Sequence, residues 1–235
     1  MNADRVRLVS LDVGYTLGAP TGTTITQRLA ALSRLPREQA KQLIQQYLHH
    51  VPPEDSAAIR ALCQALEVDP EAFPYEHQPE PFALWPGARD AVARIARNVP
   101  VVTLSNVTYW DEHGCDLVEL LAPYLAGHYP SWRLGFAKPD PRAVLAVAAL
   151  HGVPASEVLH VGDNFACDVQ GALAAGAQAL WITSATPDHT ARLLLAAHPG
   201  RIRTAPDLDT AVTHIEQATK SSPPPLQGEH HERVL

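Results

Sequence analysis

The chain has 235 residues, long enough for one substantial core with an inserted subdomain, or for two small domains. Apolar residues make up 46% and charged residues 18%, a balance that excludes an intrinsically disordered chain. A formal net charge of -7 argues against a broad nucleic-acid-binding or anionic-membrane surface, and no stretch has the uninterrupted apolar length of a transmembrane helix.

The first element reads as a strand, Val6 to Leu11, ending at Asp12, with Gly14 and Gly18 marking tight turns beyond it. No basic flank, long apolar run and cleavage site precede it, so the expected location is the cytoplasm. From Ile25 to about Leu66 the apolar spacing is helical: Ile25, Leu29 and Leu32 share one face, and Ala40, Leu43, Ile44, Tyr47 and Leu48 another. The run from Ala57 to Leu66 makes a third helix. Residues 70–86 carry too many prolines for a helix and read as a return linker.

A different rhythm then begins. Pro86-Gly87 precedes a helix from Ala88 to about Arg97, and Val99 to Leu104 is a strand closed by Ser105-Asn106. A helix covers about Cys115 to Ala122, and Lys138-Pro139-Asp140-Pro141 leads into another from Arg142 to His151. Val158 to Val161 is a strand ending in Gly162-Asp163. A helix over about Asp168 to Ala175 is closed by Gly176. Ala179 to Ile182 is a further strand, and residues 189–197 and 208–217 read as helices. The stretch from Thr219 to Leu235, with three consecutive prolines and few apolar residues, reads as a disordered tail, and His230 and His231 in it as solvated. Cys63, Cys115 and Cys167 stand far apart in no paired motif and read as reduced thiols.

Short apolar strands alternating with helices predict an α/β fold with a parallel sheet covered on both faces. The helices of residues 17–80 interrupt that alternation and are expected to form a separate inserted subdomain. Ligands of such sheets bind beyond the carboxyl ends of the strands. Asp12, Ser105-Asn106 and Asp163 occupy such positions, and Lys138 precedes the helix leading to the third of them. Each has an ordinary alternative: Ser105 and Asn106 as helix caps, Lys138 as a solvated lysine, and Asp168 as a first-turn carboxylate favoured by the helix dipole.

Taken in order, these residues resemble the motifs of the haloacid-dehalogenase-like hydrolases. The resemblance spans about residues 6 to 183. It rests on Asp12-Val13-Gly14-Tyr15-Thr16, on Ser105 in Thr103-Leu104-Ser105-Asn106, on Lys138 in Gly135-Phe136-Ala137-Lys138-Pro139, and on Gly162-Asp163-Asn164 followed by Asp168. It implies a Rossmann-like three-layer α/β/α core built from residues 1–16 and 81–218, with a helical cap over residues 17–80 and the tail over 219–235. It also implies a hydrolase of a small phosphorylated molecule, with no nucleic acid or membrane partner, working as a monomer or homodimer.

The roles follow the same resemblance. Asp12 is the implied nucleophile, forming an aspartyl-phosphate. Asp12, the Gly14 carbonyl, Asp163 and Asp168 are the implied Mg²⁺ ligands, an oxygen-rich set that suits a hard cation. Ser105 and the backbone donors around Asn106 are implied to bind phosphoryl oxygens, Lys138 to offset charge, and Trp110 and His113 to contact substrate.

One position departs from the pattern. Phosphatases of this family carry a second aspartate two residues after the nucleophile, which protonates the leaving group; here that position is Gly14. Positioned acid–base catalysis contributes about 10² to 10⁴ in rate. The departure leaves open an enzyme whose leaving group needs little protonation, a protein that binds a phosphorylated ligand or partner and turns it over poorly, or related dehalogenase or phosphonatase chemistry. The last would use a cap lysine, for which Lys41 is the candidate.

Overall fold

Alternation along short apolar strands sets the architecture. The computed structural model describes residues 5–79, 81–112 and 116–220. In chain order the regular elements are β1 (Leu8–Leu11), β2 (Gly18–Pro20), α1 (Ile25–Leu32), α2 (Arg37–Leu48), α3 (Ser56–Leu66), β3 (Phe82–Leu84), α4 (Ala88–Ala96), β4 (Val101–Ser105), α5 (Asp116–Leu121), β5 (Gly127–Pro130), α6 (Ser131–Leu134), α7 (Pro141–Leu150), β6 (Val158–Gly162), α8 (Gly171–Ala174), β7 (Gln178–Ile182), α9 (His189–Ala197), β8 (Ile202–Ala205) and α10 (Leu208–Lys220). Six strands pair in parallel in the order β5-β4-β1-β6-β7-β8.

Successive side chains on a strand point to opposite faces, and the two faces bury different helices. Val9 and Leu11 of β1 join Val101, Leu159, Val161 and Leu180 in a cluster closed by α4, α5 and α10. Leu8, Val102, Leu104, Val158 and Ala179 face the other way, into a cluster with α7, α8 and α9. The result is the α/β/α sandwich expected of a buried parallel sheet. Its central strand β1 lies between β4 and β6, so Asp12, Ser105 and Asp163 emerge side by side at one end of the sheet.

Two edge strands escape the sequence pattern. β5 is Gly-His-Tyr-Pro and β8 is Ile-Arg-Thr-Ala; neither is an apolar run, because an edge strand needs less burial than a central one. The helix expected over 168–175 divides into a π-helical turn, Phe165–Gln170, and α8, so the turn following Asp163 is wider than an α-helix allows. At the C-terminus, α10 continues to Lys220, and Thr219 is buried with its hydroxyl donating to the Ile215 carbonyl at 3.0 Å. Thr219 and Lys220 therefore belong to a helix and not to the tail; residues 221–235 lie outside the described residues.

Helices α1, α2 and α3 bury their own apolar cluster, including Ile25, Leu29, Ile44, Leu48, Ile59 and Leu62. The chain leaves the sheet through β2 and returns through β3, and these two strands pair antiparallel, so both crossings form one ribbon. A second tie comes from the loop after β4. Trp110 inserts into the helical cluster against Phe73, and the Asp111 carboxylate accepts from the Ile25 amide at 2.7 Å while meeting His77 Nε2 at 3.2 Å.

Asp111 thus satisfies a free donor at the start of α1 from a different part of the chain. Asp111→Ala is expected to lower stability by about 2 to 4 kcal/mol, because it removes a cap and strands buried polar partners. Urea denaturation checks this: the midpoint should fall with the slope unchanged.

Candidate active site

The reacting end of the sheet gathers residues from five segments around one buried ammonium. Asp12 follows β1 with its backbone N–H donating to the Val161 carbonyl of β6 at 2.8 Å. Lys138 Nζ donates to Asp12 Oδ1 and to Asp168 Oδ1, each at 2.7 Å. Thr16 bridges on the other side, its hydroxyl 3.1 Å from Asp12 Oδ2 and 3.2 Å from Asp163 Oδ1. Lys138 is 3% exposed, which disposes of its reading as a solvated surface lysine.

Backbone clamps hold these side chains. Asn106 donates from Nδ2 to the Lys138 carbonyl at 2.6 Å and accepts the Lys138 amide at 2.8 Å. Its side chain therefore positions the lysine, while the expected phosphoryl contact is one from the backbone donors around Asn106. Asp168 accepts the Asn164 amide on Oδ2 at 2.8 Å. A Cβ at Gly162 would come 2.2 Å from that oxygen, so only glycine leaves Asp168 in place.

His160, which the sequence reading passed over, completes the cluster. It is buried on β6, with Nδ1 3.0 Å from Ser10 Oγ and Nε2 3.1 Å from Asp168 Oδ1. Period-two alternation would have placed Ser10 and His160 on the same face of adjacent strands, but an apolar-run search treats both as interruptions.

The remaining candidates divide. Ser105 closes β4 and is buried beside the site. Asp163 and Asp168 share the cluster with Asp12. Trp110 lies elsewhere: it is 4% exposed within the apolar cluster of α1, α2 and α3, where it packs. His113 and Cys115 lie outside the described residues. Lys41 is ion-paired to Glu38 at 2.8 Å on α2, one helical turn away, and does not line the cavity described below. Gly14 has no atom within 4 Å of where a Cβ would stand, and the next residue, Tyr15, is largely exposed.

Three carboxylates here face one ammonium. Burial pushes Asp12 upward, with the Asp168 charge adding to it against the pull of Lys138. Burial and the Asp168 charge likewise raise Asp163. Burial opposes ionisation of Asp168 too, but Lys138 and His160 outweigh it and hold that carboxyl far below the usual range. For Lys138, burial is overridden by Asp12 and Asp168, so the ammonium stays charged well above neutrality. Burial, with Lys138 next, lowers His160 and keeps it neutral. The surplus is negative charge. Asp12, Asp163 and Asp168 each bring one oxygen within 4.8 Å of the others, a set whose chemistry fits a hard divalent cation. Cys167 nearby is a thiol and not a thiolate, pushed up to about 11 by burial and by Asp168.

Beside this centre a cavity of about 400 Å³ separates α2 from the 135–142 loop. Its α2 wall carries Gln42, Gln45, Gln46, His49 and His50; the opposite wall includes Asn106, Cys167 and Lys138, the last shared with the charged cluster. His49 is buried, and burial followed by the His50 charge depresses it from 6.5 to about 4. An unfolded chain takes up that proton first, so stability is intact above pH 6.5 and falls as pH drops from about 6.5 to about 4. The expected loss at His49 is about 3 kcal/mol. Comparing urea denaturation of the wild type with His49→Gln across that window isolates it, since the substitution should flatten this part of the acid dependence.

A family model for haloacid dehalogenase-like hydrolases matches residues 54–176, over half of the chain. The chain belongs to this hydrolase family. Among individual relatives of this haloacid dehalogenase-like hydrolase, a phosphoglycolate phosphatase of Pseudomonas fluorescens is 33% identical over 124 residues, 51% of this chain and 43% of that protein. A phosphoserine phosphatase of Thermus thermophilus is 38% identical over 68 residues, 27% of each. The matches thus span less than half the length of these curated relatives.

Solved structures agree on the fold. A 2-haloacid dehalogenase from Pseudomonas syringae superposes with a TM-score of 0.56 at 21% identity, covering 90% of this chain and 98% of that one. A HAD-hydrolase of Bacillus subtilis bound to magnesium gives 0.53 at 19%, covering 90% and 99%. Among the described residues of this hydrolase, no helix is long and apolar enough to cross a membrane.

Proposed function

We propose that this hydrolase cleaves phosphate from a small phosphorylated metabolite through an aspartyl-phosphate on Asp12, with Mg²⁺ as cofactor. One observation carries the reading: Asp12 leaves the central strand beside a buried ammonium and within a three-carboxylate cluster, where a dianionic phosphoryl group would otherwise have no business. The phosphatase names of two partial relatives point the same way.

An Asp12 carboxylate oxygen attacks phosphorus, the bond from phosphorus to the leaving oxygen breaks, and that oxygen departs with the electron pair. Lys138 holds Asp12 in place and offsets charge on the incoming phosphoryl oxygens. Ser105 stands at the end of the neighbouring strand to receive one of those oxygens. Water then attacks the phosphoryl group, the bond to Asp12 breaks, and inorganic phosphate leaves. Asp12 and Asp163, with the Gly14 carbonyl, would hold Mg²⁺ as direct ligands. Asp168 has Lys138 and His160 on one oxygen and the Asn164 amide on the other, and contributes mainly by fixing the lysine. The bound ion would neutralise and orient the phosphoryl group.

With no side chain at Gly14, the departing oxygen takes its proton from solvent, so alkyl esters turn over more slowly than esters with stable leaving groups. Purified protein assayed with p-nitrophenyl phosphate and acetyl phosphate is expected to release phosphate with Mg²⁺ and to lose that release in excess EDTA. Turnover that is indifferent to EDTA would remove the metal from the proposal. The open space at Gly14 also favours a second reading, a phosphate-ligand-binding protein with little turnover. Tight calorimetric binding of phosphate esters without any hydrolysis of either probe would establish that reading in place of the first.

A further inference from the structure

Given the phosphohydrolase activity proposed above, we infer that the cavity beside the reaction centre binds the non-reacting part of the substrate, and that this part is uncharged and hydroxyl-rich, as in the phosphate ester of a polyol or small sugar. The cavity's volume of about 400 Å³ lies in the range of small-molecule sites.

The argument starts with α2. Its Ala40, Ile44 and Leu48 are buried in the cap cluster. Gln42, Gln45, Gln46 and His49 follow the spacing i, i+3, i+4, i+7 and line the cavity as a separate stripe. The three glutamine side chains are exposed to the cavity and engage no other described residue. Each amide offers donors and an acceptor on one rigid plane, and a hydroxyl group likewise both donates and accepts. A row of amides therefore matches a row of hydroxyls, whereas a carboxylate uses only the donors.

Charge in the wall points the same way. Its permanent cations among the described residues are Lys138 and Arg142. Lys138 is held by Asp12 and Asp168. Arg142 makes three contacts of 2.6 to 3.0 Å to the Asp140 carboxylate and lies over the Phe136 ring. That pairing, with His50 contributing, holds Asp140 ionised below the usual carboxylate range. The cavity also sits against residues 45–50, the C-terminal end of α2, where the helix dipole is negative. A second anionic group on the substrate would meet this field with both permanent cations already committed. A primary ammonium would have to displace Arg142 from the Asp140 carboxylate, and a quaternary one would find no aromatic cage, since Phe136 is covered by Arg142.

Three primary alkyl esters decide the matter: glycerol 1-phosphate, phosphoglycolate and phosphoethanolamine. All leave as primary alkoxides, so their relative kcat/KM reports recognition; p-nitrophenyl phosphate serves as the reference for chemistry. Glycerol 1-phosphate is expected to exceed the other two by at least tenfold. In Gln42→Ala/Gln46→Ala its kcat/KM relative to p-nitrophenyl phosphate should fall by at least tenfold, mainly through KM. A preference for phosphoglycolate or phosphoethanolamine, or a ratio unmoved by the double substitution, overturns the inference while leaving the phosphohydrolase intact. Hydrolysis of none of the four removes the phosphohydrolase instead. Isothermal titration calorimetry with the same three alkyl esters then still decides the cavity's preference, by the same tenfold criterion.

Discussion

Asp12→Asn is expected to cut phosphate release from p-nitrophenyl phosphate by about 10⁴-fold or more while leaving the protein folded. The amide is nearly the same shape as the carboxylate, and its oxygen still accepts from Lys138 or from Thr16, which now stand 2.7 and 3.1 Å away. It is not a competent nucleophile toward phosphorus. Removing one partner of a buried ion pair ordinarily costs about 3 to 5 kcal/mol, because a charge is left unpaired. Here the ammonium keeps Asp168 at 2.7 Å, and the substitution relieves the crowding that pushes Asp12 upward. Thermal unfolding should therefore show a midpoint equal to or above that of the wild type. A large drop in midpoint would mean that lost activity reports lost structure, and Asp12 would have to be reassigned to the fold.

Gly14→Asp is expected to act in the opposite direction, raising kcat on alkyl phosphates such as glycerol 1-phosphate by about 10² to 10⁴. Nothing stands within 4 Å of a Cβ at this position, and its backbone is outside the left-handed region that would exclude a side chain. A carboxyl group there would supply the leaving-group proton that solvent now provides. The gain should shrink for p-nitrophenyl phosphate, whose leaving group is stable without protonation. It should also depend on Mg²⁺, since a fourth carboxylate joins a cluster of three, of which Lys138 pairs with only two. Steady-state kinetics on the two esters tests both statements. Equal or reduced turnover on the alkyl ester would show that proton supply is not what limits this enzyme.

Asp12, Ser105 and Asp163 were legible because each ends an apolar strand with a polar residue, and a parallel sheet brings such ends together. Lys138 was legible from its motif, although its reach to Asp12 and Asp168 depends on the loop between α6 and α7 and on the Asn106 clamp. The partner of the Asn106 side chain was not legible: the residue type predicts a polar partner, and only the packed loop shows that it is Lys138's own backbone. Trp110 follows the second motif closely, and that proximity drew it into the site on paper. In space the loop turns, and a 5.1 Å edge contact with Phe73 places the indole in the apolar cluster of α1, α2 and α3.

Local chemistry along the chain was enough to determine the α/β class, the order of the central strands' polar ends and the helical interruption from Ile25 to Leu66. These depend on period, turn residues and single side chains, which are properties of neighbours in sequence. Tertiary structure alone decided the rest. It placed Gln42, Gln45 and Gln46 across a cavity from Lys138, set His160 between Ser10 and Asp168, and tied α1 to the core through Asp111. Those relations join residues up to 150 positions apart, and only the burial of both sheet faces and of the apolar cluster of α1, α2 and α3 brings them together.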